Sequence, residues 1–76
     1  MIGELDRIVL TVAVPEQALE PGDVGTVVHA YPDGQAFEVE FKTLDGHTVA
    51  VVTVEASHVR AVRSGEITHA RELTNH

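Results

Sequence analysis

The segment Ala36-Phe-Glu-Val-Glu-Phe-Lys42 decides the fold class, because its residues alternate strictly between apolar and charged or small. Successive side chains of a β-strand point to opposite faces, so this alternation predicts a strand with one buried side and one side in water. The inward residues are Phe37, Val39 and Phe41, and the outward residues are Glu38, Glu40 and Lys42.

Turn signals flank this strand on both sides. Pro32-Asp-Gly-Gln35 precedes it and Leu44-Asp-Gly-His47 follows it, and each contains an Asp-Gly pair that suits a tight turn with positive φ. Beyond the turns lie two runs rich in β-branched residues, Val24–Tyr31 and Thr48–Val54. The middle of the chain therefore predicts a meander of three antiparallel strands.

Two further strands complete the pattern. Leu5–Val14 has strand composition, and a long first loop follows at Pro15–Asp23, with one short helical turn at Glu16–Leu19. Near the other end, Glu55–His58 suits a single helical turn before a short strand at Val59–Val62. Five short strands with this spacing favour a small all-β SH3-like barrel over a sandwich, which needs about seven strands.

The 76 residues allow one domain. We assign residues 1–63 to the barrel. Residues 64–76 begin with the Ser64-Gly65 break and are polar, with a weak helical spacing at Ile67, Ala70 and Leu73. They are interpreted as a C-terminal tail that is frayed or ordered only by a partner.

Charge and composition limit the partners. Twelve acidic and five basic residues give a net charge of −7, which disfavours nucleic acid and favours a more basic protein. The chain has no cysteine and no apolar run near the ~18 residues that a membrane span needs. We expect a soluble, cytoplasmic protein that binds no membrane.

The residues that carry chemistry form no catalytic or metal-binding pattern. The five histidines lack the spacing of the usual zinc motifs, and neither Ser57 nor Ser64 lies on a strand-to-helix elbow. Gly22-Asp-Val-Gly25 precedes a strand rather than a helix, so it is interpreted as a turn and not as a phosphate loop. We expect no enzyme activity, no cofactor and no metal. The expected structural turn residues are Gly22, Gly25, Gly34 and Gly46.

The fourth predicted strand is apolar on both faces, although a small barrel buries only one. One face carries Val49, Val51 and Thr53, and the other carries Ala50, Val52 and Val54. An apolar strip left in water usually marks an interface. The alternative is that the tail or the first loop covers it. A second candidate surface is the face that His29 and Tyr31 share. The alternative interpretation is that this face is ordinary solvent-exposed barrel surface. The candidate partner-binding residues are His29, Tyr31, Ala50, Val52 and Val54.

Four blocks of the chain, taken in order, resemble the small bacterial proteins of the family DUF4926. These blocks are Glu4–Thr11, Leu19–Val28, Phe37–Phe41 and Asp45–Val52, and the resemblance runs from about Met1 to Val62. The family has no assigned activity and no catalytic motif to transfer. The resemblance implies a member of a two-gene module, arranged like a toxin and its antitoxin.

These observations predict a non-catalytic protein-binding module that acts like an antitoxin on a neighbouring gene product. One alternative is an accessory structural subunit of an enzyme or electron-transfer assembly. It follows from the resemblance of Gly22–Val27 to the strand-entry turn of other SH3-like barrels, namely a small photosystem I protein and the nitrile hydratase β-chain. Another alternative is a homodimer that binds a small ligand in a groove.

Overall fold

The computed structural model describes residues 2–73, and its regular elements are five strands and two single 3-10 turns. The strands are β1 (Arg7–Leu10), β2 (Val24–Ala30), β3 (Ala36–Lys42), β4 (Thr48–Glu55) and β5 (Val59–Ala61), and the 3-10 turns are Pro15–Gln17 and Ala56–His58. The predicted fold class is confirmed: an all-β domain with a long first connection and one helical turn before the last strand. In residues 2–73 no helix is long and apolar enough to cross a membrane.

All neighbouring strands pair antiparallel, in the order β4-β3-β2-β1-β5. Three strands therefore separate β4 from β5, which in a flat sheet places them about 19 Å apart. Only Ala56–His58 joins them, and a 3-10 turn of that length advances roughly 6 to 8 Å. The sheet must therefore curl until the end of β4 lies near the start of β5. The domain is a small barrel that stays open, because β4 and β5 do not pair among residues 2–73.

The core lies inside this curl and follows the alternation of β3. Phe37, Val39 and Phe41 are all buried, as the sequence predicts, and Leu19 from the first connection joins them. Burial of each aliphatic or aromatic side chain stabilises the folded state by roughly 1.5 to 3 kcal/mol relative to leaving it in water. The packed cluster of buried residues is Ile8, Leu10, Leu19, Val27, Phe37, Val39, Phe41, Val54 and Val59.

Three of the four glycines expected in turns occupy the left-handed region, namely Gly22, Gly34 and Gly46. Glycine adopts this region without the steric cost that a Cβ imposes. The turn at Gly22 is closed by the Asp23 N–H, which donates to the Glu20 carbonyl at 3.1 Å. These three predictions are confirmed.

Gly25 is not a turn residue, and that part of the prediction was wrong. It lies inside β2, pairs with Ile8 of β1 and has no positive φ. A Cβ at this position would come within 2.5 Å of Val39 Cγ1 and 2.8 Å of Phe41 Cε2. Glycine is required here because β3 packs directly against the β2 backbone.

The first strand is shorter than the predicted Leu5–Val14. Leu5 has a φ of 71°, which ends the extended conformation on the N-terminal side of Arg7. Beyond Leu10, Val14 pairs with Leu19 in an isolated bridge around the Pro15–Gln17 turn. Val14 therefore belongs to a small loop of its own rather than to β1. The helical turn begins at Pro15, since proline suits the first helical position.

Residues 64–73 form neither helix nor strand. The weak helical spacing of Ile67, Ala70 and Leu73 is thus not expressed as a helix, and residues 74–76 of the expected tail lie outside the described range. Two arginine pairs connect this segment to the barrel. Whether a partner also binds the tail stays a prediction.

The first pair joins Arg71 to the turn before β2. The Arg71 guanidinium donates from Nε to Asp23 Oδ1 at 3.0 Å and from Nη2 to Asp23 Oδ2, and Nη2 also donates to the Ala18 carbonyl at 3.0 Å. Partial burial alone would raise the pKa of Asp23. The hydrogen bonds from Arg71 and from the Glu20 N–H outweigh burial, so the pKa of Asp23 lies below its ordinary value.

Weakening this pair should release the tail. In Asp23→Asn the charge of the acceptor is lost. We expect trypsin to cleave after Arg71 about fivefold faster, because the free energy of releasing the tail falls by ~1 kcal/mol. The measurement is limited proteolysis followed by mass spectrometry. Asp33→Asn is the matched control, because Asp33 accepts only the Gln35 N–H within its hairpin. Equal cleavage rates in the two variants would contradict a structural role for the pair.

The second pair is Arg60 with Glu66. Arg60 donates from Nη1 to Glu66 Oε1 at 3.0 Å and from Nη2 to Oε2 at 2.6 Å, and the Arg63 N–H donates to Oε1 at 2.6 Å. The Arg60 guanidinium and the Arg63 N–H lower the pKa of Glu66 from its ordinary value of 4.5 to about 2.

This shift predicts a pH dependence for the start of the tail. A carboxylate whose folded-state pKa is depressed stabilises the fold above its ordinary pKa and loses that contribution as the pH falls through the folded value. We expect the Glu66 carboxyl signal in NMR to titrate near pH 2, and in Arg60→Gln to titrate closer to 4.5. A midpoint near 4.5 in the unmodified protein would show that the pair does not form in solution.

Candidate protein-binding face

The outward side of β2, β3 and β4 carries a cluster of acidic, aromatic and hydroxyl side chains. We call it the outer face. Its members are Glu4, which precedes β1, His29, Tyr31, Glu38, Glu40 and Thr53. Their side chains are exposed or half-buried, as the alternation of β3 requires for residues opposite Phe37 and Val39.

A β-bulge in β2 places His29 on this face. Val27 pairs with Val39 and His29 pairs with Glu38, so Val28 is an extra residue without an opposite partner. An extra residue reverses the alternation beyond it. His29 consequently points outward beside Glu38, and Ala30 follows inward opposite Phe37.

His29 and Tyr31 share this face, as the sequence predicts. Their rings lie in an edge-to-face arrangement with centroids 4.9 Å apart and an interplanar angle of 82°. Such a pair contributes about 0.5 to 1.5 kcal/mol beyond the area it buries and offers a rigid aromatic surface to a ligand. His29 Nδ1 also lies 3.5 Å from Glu4 Oε2. A positively charged His29 would strengthen that contact.

Glu38 is the centre of the hydrogen-bonding network on the outer face. Its Oε2 accepts from Thr53 Oγ1 at 2.6 Å and from the Tyr31 hydroxyl, so one carboxylate of β3 is connected to β4 and to the residue that follows β2. The hydrogen bonds from Thr53 and then from Tyr31 lower the pKa of Glu38, and the hydrogen bond to Glu38 raises the pKa of Tyr31. At neutral pH the centre of the face carries a fixed negative charge.

Glu40 adds a second carboxylate two positions along β3. Its Oε2 accepts from Thr48 Oγ1 at 2.7 Å. Glu38 and Glu40 thus both accept hydrogen bonds from hydroxyl donors that carry no charge, and neither forms an ion pair with an arginine or lysine among residues 2–73. This arrangement suits electrostatic attraction of a cationic surface.

The predicted apolar strip of β4 requires a correction. Ala50, Val52 and Val54 pair with Phe41, Val39 and Phe37 and lie on the core side, and Val54 is only 5% exposed. The assignment of this face to the partner surface was wrong, because a period of two does not state which face points inward. Val51, on the opposite side, is 55% exposed and pairs with Glu40.

The remaining candidate residues do not converge on one site. His29, His47 and His69 are exposed, His58 is half-buried, and His76 lies outside the described residues. Within residues 2–73 no group of three or more histidine, aspartate or glutamate side chains is arranged to hold a metal ion.

A shallow groove lies on the β1–β5 side of the domain. Its volume is about 540 Å³, and its lining includes one acid and one base among apolar residues. The lining residues are Ile2, Asp6, Arg7, Ala61 and Val62. This groove does not include the outer face.

Sequence reasoning did not select Glu4, Glu38, Glu40 or Thr53 for the site. Glu38 and Glu40 look like ordinary outward charges when β3 is considered alone. A usable signal lies in the Pro32–Gln35 turn, because a hairpin there brings the end of β2 back beside the start of β3. That pairing places Tyr31 within reach of Glu38.

Fold and geometry together define a class: a small curled β-sheet domain with an open, acidic and aromatic face. The family model described as a domain of unknown function, DUF4926, matches residues 4–61. The chain therefore belongs to the DUF4926 family, and the resemblance noted in the sequence is confirmed. No curated protein and no solved structure matches the chain.

Proposed function

We propose that this protein is a binding module that forms a stoichiometric complex with a more basic protein through its outer face. The observation that carries the proposal is the arrangement around Glu38. Tyr31 and Thr53 hold this carboxylate in place beside a rigid aromatic pair, with Glu40 and Glu4 nearby.

The chemistry of the face supports a protein partner. Tyrosine and other aromatic residues supply contact area at low entropic cost and are enriched at interfaces. Preordered carboxylates attract lysine and arginine side chains and exclude acidic partners. The net charge of −7 extends this attraction beyond the contact itself.

The proposed biological role is that of an antitoxin-like partner for the product of the neighbouring gene. The complex would mask a basic surface on that protein. This role requires tight binding and a defined stoichiometry rather than turnover.

Co-expression with the neighbouring gene product, followed by size-exclusion chromatography with light scattering, tests the proposal. The expected result is a stable complex of defined mass, together with restored growth in cells in which the neighbouring protein alone is toxic. Separate elution of the two proteins, with no toxicity of the neighbour, would reject the proposal.

A further inference from the structure

Among residues 2–73, β4 is an edge strand whose outer side pairs with no other strand. Of the two edge strands, β5 has three residues and contains Arg60, whereas β4 has eight residues and contains no lysine, arginine, proline or glycine. Natural edge strands are usually short, charged or interrupted, since an unguarded edge pairs with other chains. The edge of β4 lacks these protections, apart from a bulge at Val49 and the acidic Glu55 at its C-terminal end.

The hydrogen-bond register shows which peptide groups this edge presents. The Ala56 N–H donates to the Gln35 carbonyl at 2.9 Å, and this pair continues the antiparallel ladder of β3 and β4. Bonded and non-bonded pairs alternate in such a ladder, so Val54 and Val52 direct their peptide groups towards β3. Val51 and Thr53 direct theirs away from it, and among residues 2–73 no backbone group pairs with them.

The same two residues belong to the outward side of the sheet. Val51 pairs with Glu40, and Thr53 pairs with Glu38 and donates to its carboxylate. A strand added to this edge would place every second side chain on the outward side, about two strand spacings, or ~10 Å, from Glu38 and Glu40. The next outward residue of β4 is Glu55, which is exposed.

We infer that β4 receives an extended, basic segment of the partner protein, which adds a sixth strand to the sheet. Main-chain hydrogen bonds to Val51 and Thr53 hold the segment, and its outward lysine or arginine side chains reach Glu38, Glu40 and Glu55. This inference rests on the proposed function because it takes the partner to be a basic protein.

Charge argues against a second copy of this chain as the occupant. Pairing of β4 with β4 of another copy would bring two sets of Glu38, Glu40 and Glu55 onto one continuous sheet. Each copy also carries a net charge of −7. Like charges across an interface oppose association, whereas a cationic strand relieves the same repulsion.

Synthetic peptides test the inference without knowledge of the partner. The probes are an eight-residue peptide of alternating lysine and threonine and a matched peptide of alternating glutamate and threonine, titrated into the labelled protein and followed by NMR. We expect the lysine peptide to shift the Val51 and Thr53 amide signals and to bind at least about tenfold more tightly than the glutamate peptide. Equal affinities, or shifts confined to other strands, would overturn the inference.

Two N-methylated forms of the lysine peptide test main-chain pairing. One is methylated at the lysine amides and the other at the threonine amides. Only one set of amides faces β4, so we expect one form to lose at least about tenfold in affinity while the other retains binding. Loss at the lysine amides indicates antiparallel addition and loss at the threonine amides indicates parallel addition. Equal affinity of the two forms would overturn the inference.

Val51→Pro separates this inference from the proposed function. Proline at this position removes an edge N–H and leaves the hydrogen bonds to β3 intact. We expect the folded variant to bind the neighbouring gene product at least about tenfold more weakly. An unchanged complex would reject edge pairing and leave the proposed function standing, whereas the absence of any complex with the unmodified protein would reject the proposed function. If the variant does not fold, the N-methylated peptides decide.

Discussion

Gly25→Ala should destabilise the domain by about 2 to 3 kcal/mol, since overpacking of a tight interior typically costs 1 to 3 kcal/mol. The new Cβ would meet Val39 Cγ1 at 2.5 Å, Phe41 Cε2 at 2.8 Å and the Glu40 carbonyl oxygen at 3.0 Å. Val39 and Phe41 are themselves buried, and the third contact is backbone, so no flexible side-chain end is available to move aside.

The expected change is large for a domain of this size. A decrease of 1 kcal/mol in the free energy of unfolding lowers Tm by roughly 4 to 8 °C in domains of 60 to 100 residues. The Gly25→Ala protein should therefore melt roughly 10 to 20 °C below the unmodified protein. Thermal unfolding monitored by circular dichroism measures this change in Tm. Gly3→Ala is the matched control, because nothing among residues 2–73, other than its chain neighbours, lies within 4 Å of a Cβ at Gly3. A Gly25→Ala protein as stable as this control would contradict the packing of β2 against β3.

The second large effect concerns binding. Replacement of both Glu38 and Glu40 by lysine should weaken the complex with the basic partner by about 100-fold, since like charges placed across an interface cost several kcal/mol. The fold should survive, because both side chains are on the outward side of β3 and their hydrogen bonds are solvent-exposed. Isothermal titration calorimetry measures affinity, and thermal melting verifies folding.

A matched charge control separates a local site from the effect of net charge. Glu16→Lys with Glu72→Lys changes the net charge by the same amount in the first connection and the tail. We expect this control to lose less than about tenfold in affinity, by weakening long-range attraction alone. Equal losses in the two double variants would show that the outer face has no special role.

The strand pattern could be predicted from sequence because β3 and its turns combine several independent signals. The bounds of β3 agree with the prediction, and the Asp-Gly pairs at Gly34 and Gly46 adopt the expected left-handed conformation. Strict alternation and turn chemistry are local properties, so they need no knowledge of the rest of the fold. The first strand was predicted too long because the composition of Leu5–Val14 does not reveal the positive φ of Leu5.

The candidate site was only partly predictable. The shared face of His29 and Tyr31 follows from their spacing, although the bulge at Val28 that turns His29 outward leaves no clear mark in the sequence. The inward and outward sides of β4 were confused because both are apolar. Only the pairing of Ala50, Val52 and Val54 with the phenylalanine and valine positions of β3 settles which side is buried.

The tail depends on contacts between distant residues. Arg71 lies 48 positions from Asp23, and nothing local indicates that their side chains meet. The composition of residues 64–76 predicts a tail that is frayed or ordered only by a partner, and this stays a prediction. The composition does not predict the two arginine pairs.

An NMR titration of the isotope-labelled protein with the neighbouring gene product would locate the binding surface residue by residue. We predict that signals of Glu38, Glu40, His29 and Tyr31, together with the Val51 and Thr53 amides, change first and most. The same titration should leave the lining of the β1–β5 groove unaffected. Changes confined to that groove or to the tail, with the outer face unaltered, would contradict the proposal that this face binds the partner.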